Sequence, residues 1–270
     1  MKLFFSEYKS DYQNYIFPYA IWAIPEAGET PADLFAHGFL PSSRHLDRFY
    51  LCRQVRVRLS QFEPSSENRR IFKKGRGIRY ELIPRDRFDY TPERREFYKT
   101  YADIKFGKDV MTYERLDGLF DSRIVTHLLV FEDTEAGKEV GTVMLYLEEP
   151  AMAFYYYAFY DLNYYPRNLG MYMMTSAVQF FAERGLAYLY LGTCYSRNAL
   201  YKTQFRGAEF FNGFRWSDDL KELKYLINRE KTVITMHLLE TPEYQQRFFE
   251  GDLQRMFASG GVRICRDETS

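Results

Sequence analysis

The sequence predicts an α+β fold, a mixed and mostly antiparallel sheet flanked by helices, with a smaller basic region on its N-terminal side. Three observations carry that reading. Residues 123–131, 138–147 and 153–160 are rich in the branched and aromatic side chains that suit a pleated surface, and short turns join them into an antiparallel meander. Pro166 then forbids a ladder, and from Leu169 the residues Tyr172, Met173, Ala177, Phe180 and Phe181 recur at helical spacing up to Gly185. A further apolar run over residues 187–191 completes a strand, helix, strand crossover, whose strands should be parallel and whose hand is nearly fixed.

From the N-terminus, residues 1–40 mix aromatics with turn formers, and residues 31–38 read as one or two helical turns stopped by Gly38. In residues 48–59, Val55, Val57 and Leu59 alternate with Arg56 and Arg58, the pattern of a half-buried strand. Pro64 and Ser65 or Ser66 open a helix containing Arg69 and Arg70. Thr91 and Pro92 start another, with Phe97, Tyr98 and Tyr101 on its apolar side. Beyond Trp216, residues 218–227 read as a helix or the approach to a hairpin, 232–239 as a strand, and 242–257 as a helix with Tyr244, Phe248, Leu253 and Phe257 apolar. Gly260, Gly261 and the polar end suggest a loosened terminus. The expected division is a basic N-terminal region (1–110), a catalytic core (111–230), and a C-terminal strand and helix packed on the core (231–270).

Composition sets further bounds. The 270 residues allow one large or two modest domains. Net charge is zero, so the field of the whole molecule will not draw in polyanions. Residues 41–110 nevertheless hold eighteen Lys and Arg against ten Asp and Glu, a local surplus of eight that the remainder offsets. Its densest run, Arg69, Arg70, Lys73, Lys74, Arg76 and Arg79, suits a phosphate backbone; a solvated surface fits it equally. Tyr and Phe number 24 each, enough for a wide core with wet edges and for a nucleotide-stacking surface besides.

Cys52, Cys194 and Cys265 are far apart and odd in number, so no disulfide framework is implied and a reducing compartment is the natural setting. The opening residues lack a signal peptide's basic start and long apolar run, and no stretch nears the roughly 20 apolar residues that span a bilayer. A cytoplasmic protein without membrane contact is expected. The four His have no metal-ligand spacing, and Cys52 stands alone in the first 190 residues, so no metal is expected. Neither a P-loop nor a nucleophile elbow occurs.

The stretch over residues 153–216 resembles the acyl-transfer core of the GNAT superfamily, in which the donor binds where a splayed strand meets the next helix's N-terminus. The superfamily pattern there is Arg or Gln, two residues, Gly, one residue, then Gly or Ala. This chain reads Arg167-Asn168-Leu169-Gly170-Met171-Tyr172, and a Tyr at the last position is expected to crowd a pyrophosphate. A closer resemblance lies in Phe159-Tyr160-Asp161, Asn168-Leu169-Gly170-Met171-Tyr172, Tyr188-Leu189-Tyr190-Leu191-Gly192 and Tyr201-Lys202-Thr203-Gln204-Phe205-Arg206. These look like the C-terminal half of arginyl-tRNA–protein transferases and their bacterial leucyl-transferring relatives. Cys52, the Val-Arg-Val-Arg strand, Phe62, Pro64-Ser65 and Asn68-Arg69-Arg70 resemble that family's N-terminal half. The chain departs from the family at Leu162 and Gly207, where prolines are usual, at residues 197–200, which replace Cys-Pro-Lys-Met, and in lacking paired N-terminal cysteines.

The resemblance implies transfer of an amino acid, of arginine or leucine type, from charged tRNA to the N-terminal amine of a protein or peptide, creating a degradation signal. Aminoacyl-tRNA is then the donor substrate and no cofactor is needed. The chemistry requires a neutral amine, a polarised ester carbonyl and a proton for the departing ribose oxygen. Asp161, Tyr172 and Lys202 are the candidate catalytic residues. Asp161 stands at the end of the central strand, where a carboxylate suits a base or anchor. Lys202 and Arg206 share a face if residues 198–205 are helical. Tyr195 and Tyr201 are further stacking or donor candidates. Tyr160, Asn168, Leu169 and Gly170 are expected at the mouth, with Gln204 and Arg206 beside it; Arg56, Arg69, Arg70, Lys73 and Lys74 are expected to contact tRNA. Cys194 has no adjacent His in sequence, and a thiol mechanism is not expected. The rival readings are an acyl-CoA-dependent N-acyltransferase and a non-catalytic tRNA- or peptide-binding relative.

Overall fold

Residues 1–258 and 260 are described by a computed structural model. Cys265, Gly261 and the polar end lie outside the described residues, as does the Leu253 side chain. Strands β1 (Lys2–Glu7), β2 (Tyr19–Ile24), β3 (Phe39–Pro41) and β4 (Phe49–Leu51) form an antiparallel sheet in the order β1-β2-β4-β3, with α1 (Pro31–Ala36) between β2 and β3. This N-terminal hairpin sheet was not legible in the turn-rich sequence.

The main sheet has eight strands among the described residues. They are β5 (Gln54–Arg58), β6 (Ile78–Pro84), β7 (His127–Asp133), β8 (Lys138–Glu148), β9 (Met152–Tyr160), β10 (Tyr188–Thr193), β11 (Ala208–Phe211) and β12 (Trp216–Ser217). Their order is β12-β11-β5-β10-β9-β8-β7-β6. Only β9 and β10 are parallel, as the crossover requires; every other neighbouring pair is antiparallel. The expected mixed, mostly antiparallel sheet is present, with the expected strand, helix, strand crossover through β9, α5 (Leu169–Glu183) and β10. Strands from both sides of residue 110 share it, since β5 sits beside β10 and β6 forms one edge.

Helices cover both faces. On one side α2 (Ser66–Lys74), α5 (Leu169–Glu183), α6 (Leu220–Arg229) and α7 (Pro242–Phe249) bury Val55, Val57, Phe131 and Val143. On the other, α3 (Pro92–Lys105) and α4 (Tyr113–Phe120) pack on Leu128, Met144 and Phe159, while the N-terminal sheet packs Phe35 and Phe39 on Phe154 and Tyr190. The capping expectations hold: the Ser65 side chain accepts from the Asn68 amide and Thr91 from the Arg94 amide.

Four expectations are corrected. Strand β5 is buried on both faces, because Tyr188, Trp216 and Glu209 close over the side assigned to solvent; Arg56 is 6% exposed. Residues 197–203 form a 3-10 turn rather than an α-helix, so Lys202 and Arg206 do not share a helical face. Residues 232–239 form no strand, and the helix expected over 242–257 is broken at Gly251 into α7 and α8 (Leu253–Ala258). Gly207, where the resembling family has Pro, has φ +81°, and a Cβ there would lie 2.6 Å from the Arg58 carbonyl oxygen. Proline is locked near φ −65°, so this backbone would not accept one.

The C-terminal segment is stapled by one buried carboxylate. Glu222 accepts from Asn212 Nδ2 (2.7 Å), Ser217 Oγ (2.6 Å) and Tyr244 Oη (2.5 Å) and is fully buried. Removing it leaves three buried donors without an acceptor. Glu222→Ala should lower unfolding free energy by about 3 kcal/mol or more in urea titration; a loss within ~0.5 kcal/mol would show that the staple is dispensable.

Candidate active site

The site originates where β9 and β10 separate. Their parallel pairing runs from Tyr188 opposite Met152 to Tyr190 opposite Phe154 and stops there. Beyond it β9 stays with β8, with Tyr156 as an extra residue between the Tyr155 and Tyr157 pairings. Strand β10 follows β5 instead, skipping Leu191 and turning through Gly192 at φ +77°. Two bulged strands drawn to different neighbours leave a cavity of about 780 Å³ between them.

Helix α5 supplies one wall through Asn168, Leu169, Gly170, Met171 and Met174, and the 3-10 turn after β10 supplies Asn198, Tyr201 and Lys202. Asn168 precedes α5 in the left-handed region (φ 54°, ψ 42°), which Asn tolerates better than most residues, and its side chain makes no cap hydrogen bond. The ring of Tyr160 lies on Gly170: a Cβ there would be 2.9 Å from three ring-end atoms of Tyr160, so only glycine permits this contact. Tyr160 also packs on Tyr101 with ring centroids 4.8 Å apart.

The electrostatics are one-sided. Among the described residues, the cavity lining contains Lys105 and Lys202 but no Asp, Glu or His. Lys202 Nζ donates to the Thr193 carbonyl oxygen (2.9 Å) and pairs with no carboxylate among the described residues. Burial pulls its pKa below the ordinary lysine value. Burial likewise pushes up the Tyr101, Tyr155 and Tyr201 phenols, which therefore stay protonated and able to donate. Burial raises the Cys194 thiol despite the nearby Lys202 and Arg53 cations, and pushes Cys52 up to about 12; neither is a ready thiolate.

The structure gathers Tyr160, Asn168, Leu169, Gly170 and Lys202 around one cavity. It places the other expected residues elsewhere. Asp161 accepts from the Asn163 amide (2.9 Å) as the cap of the 3-10 turn over residues 162–167 and pairs with Lys138 at 2.9 Å. Desolvation raises its pKa, but the Lys138 and Asn163 hydrogen bonds outweigh that and hold it low, so it is a poor base. Tyr172 points into the core, where its hydroxyl donates to the Ile78 carbonyl (2.9 Å); it neither reaches the cavity nor crowds a ligand there. Gln204 stands behind the wall, donating to Met171 Sδ (3.4 Å). Arg206 is exposed and paired with Glu63.

Arg56 is sandwiched between the Tyr188 and Trp216 rings at 4.0 and 3.8 Å and paired with Glu209 at 2.8 Å, out of a nucleic acid's reach. On α2, Arg69 donates to the Pro64 carbonyl (2.6 Å), Arg70 pairs with Glu67 (2.5 Å), Lys74 donates to the Pro166 carbonyl (3.2 Å), and Lys73 is exposed. Sequence reasoning missed Tyr101, Lys105, Tyr155 and Tyr165 as lining residues. A strand bulge at Tyr155, helix α3 for Tyr101 and Lys105, and the 3-10 turn for Tyr165 bring them together, an arrangement that leaves no periodic signal.

No protein-family model matches the chain. An aspartate/glutamate leucyltransferase of Cereibacter sphaeroides (strain ATCC 17029 / ATH 2.4.9) is 25% identical over 177 residues, 62% of this chain and 62% of that protein. The enzyme of the same name from Methylobacterium sp. (strain 4-46) is 29% identical, covering 58% and 68%, and that of Pseudomonas aeruginosa (strain LESB58) is 26% identical, covering 68% and 81%. The chain is similar to the aspartate/glutamate leucyltransferases. It spans 62% of the length of the Cereibacter relative. Among solved structures, L-PGS from Bacillus licheniformis is 13% identical with a TM-score of 0.41, covering 53% of this chain and 46% of that one. FemX is 11% identical with a TM-score of 0.39, covering 53% of each chain.

A buried ammonium without a counter-ion destabilises the fold in its charged form. With the folded pKa below the unfolded value near 10.5, the unfolded chain binds more protons between the two. The stability of the parent protein relative to Lys202→Met should therefore rise as pH climbs through that window, read by thermal melts of both proteins; parallel pH profiles would place Lys202 in ordinary solvent.

Proposed function

We propose that this chain transfers a neutral, leucine-type amino acid from charged tRNA to the N-terminal amine of a protein or peptide. The observation that carries the reading is the cavity between the splayed strands, holding a desolvated lysine and no carboxylate among its described lining residues. Its volume lies in the range that encloses a small ligand, here an aminoacyl group with part of its nucleoside. Aromatic and Met walls accept a branched aliphatic side chain. Two lysines and no carboxylate repel a guanidinium, which favours leucine over arginine. The similarity to aspartate/glutamate leucyltransferases supports the same donor class and an acceptor beginning with Asp or Glu, whose carboxylate the lysines attract. Such a product carries a new N-terminal residue of the kind that marks proteins for degradation, and the cytoplasm is where charged tRNA is available.

The chemistry needs little beyond placement, because the ester is already activated. The amine nitrogen bonds to the ester carbon, the bond from that carbon to the ribose oxygen breaks, and the proton shed by the amine is balanced by one taken up by the ribose oxygen. Protonated Lys202 stabilises the developing oxyanion. Tyr201, whose phenol pKa is raised, gives its proton to the leaving oxygen and regains the one shed by the amine. An acyl-CoA donor is disfavoured by Tyr160, whose ring covers Gly170 at the start of α5, where a pyrophosphate would seat.

Labelled leucine should pass from leucyl-tRNA to a peptide beginning with Glu, and ribonuclease should abolish the transfer. Lys202→Met should lower kcat by about 10²-fold or more, while Asp161→Asn should change it by less than about threefold, as expected of a paired surface carboxylate. Saturable acetyl-CoA binding without transfer from any charged tRNA contradicts the reading. Because the charged form of Lys202 is the active one, transfer should fall as pH rises through a value below 10.5, and that limb should move upward in Lys202→Arg.

A further inference from the structure

Tyr165 is 66% exposed, yet it is not loosely held. It sits in the 3-10 turn over residues 162–167, which Asp161 caps at one end. At the other end Arg167 bonds three partners on two segments: Asp133 (3.0 Å), and the Lys74 (3.2 Å) and Arg76 (2.5 Å) carbonyls at the end of α2. Lys74 also reaches the Pro166 carbonyl, and the neighbouring Tyr164 is tied to Asp133 through its hydroxyl (2.8 Å). The turn is thus a rigid mount that presents one aromatic ring at the cavity lining. Lys105, from the end of α3, lies 5.3 Å from the centre of that ring and is itself exposed.

We propose that Tyr165 is the stacking platform for the terminal adenine of the donor RNA, with Lys105 contacting the adjoining phosphate. The assignment rests on the aminoacyl-tRNA reading above. With the aminoacyl ester inside the cavity beside Lys202, the nucleoside that carries it is the next group outward; of the exposed aromatics in the lining, Phe106, Tyr201 and Tyr165, the last is the most exposed and has the exposed cation Lys105 beside its ring. A base face and an aromatic ring attract whatever the base, while the neighbouring ammonium both orients the ring's free face and meets a negative charge. Tyr165 is a positioning residue: it sets where the ester carbonyl comes to rest and takes no part in bond making.

The test is equilibrium binding of two short single-stranded RNAs, one ending in adenosine and one with an abasic terminal residue, to the full chain and its variants. The parent protein should prefer the adenosine end by about fivefold or more, the scale of one stacked base. Tyr165→Ala should abolish that preference, Tyr165→Trp and Tyr165→Phe should keep it, and Lys105→Ala should weaken both RNAs alike and flatten their salt dependence. Equal affinity for the two ends in the parent protein, or a preference that survives in Tyr165→Ala, overturns the assignment. These outcomes are read without turnover, so preference without transfer would sink the transferase reading and leave the stacking site standing. In a transfer assay, Tyr165→Ala should raise KM for leucyl-tRNA by about tenfold while the KM for the acceptor peptide stays put.

Discussion

The constraint on which the site depends is the parting of β9 and β10 after a short parallel pairing. Parallel strands joined by a helix are held together only where both can bond. Here each strand finds a better antiparallel neighbour, β8 for one and β5 for the other. The bulges at Tyr156 and Leu191 take up the resulting mismatch, and Gly192 supplies the backbone freedom that the second bulge needs. A cavity in the middle of a sheet follows as a consequence of strand pairing, without any dedicated lid or insertion.

What occupies that gap decides what it can bind. Tyrosines on β9 and α3 give it apolar walls with hydroxyl tips, so a ligand meets both dispersion contact and donors. Lys202 is half-buried with a backbone carbonyl and no carboxylate as its partner among the described residues, and the proposed reaction uses it to face the ester carbonyl. Carboxylates are kept outside: Asp161 and Asp133, both close in sequence or space to the entrance, are occupied by Lys138 and Arg167 respectively. The same ion pairs that remove those acids also fix the turn carrying Tyr165.

Much of the fold was legible because its signals are local. The crossover, the meander and the caps at Ser65 and Thr91 follow from periodicity and turn chemistry, and the helix start after Pro166 follows from the ring's lost donor. Where the sequence misled, a tertiary partner intervened. Arg56 alternates like a solvent-facing residue, but Glu209, Tyr188 and Trp216 come from segments about 130 to 160 residues away and enclose it. Tyr172 looked like a wall of the donor site until α2 and β6 closed over it. Half of the candidate site, Tyr160 to Gly170 with Lys202, was readable from motif positions. Tyr101, Tyr155 and Tyr165 were not, because α3, a bulged strand and a 3-10 turn bring them together from separate parts of the chain.

The account stands on Lys202 facing the ester of an esterified RNA end inside this cavity. A crystal structure with leucine joined to the adenosine ribose through a stable amide would test it most directly. The account predicts the linking carbonyl oxygen within hydrogen-bond distance of Lys202 Nζ, with the leucyl side chain among the tyrosines of β9. An analogue bound outside the cavity, or inside it with the carbonyl turned away from Lys202, would contradict the account.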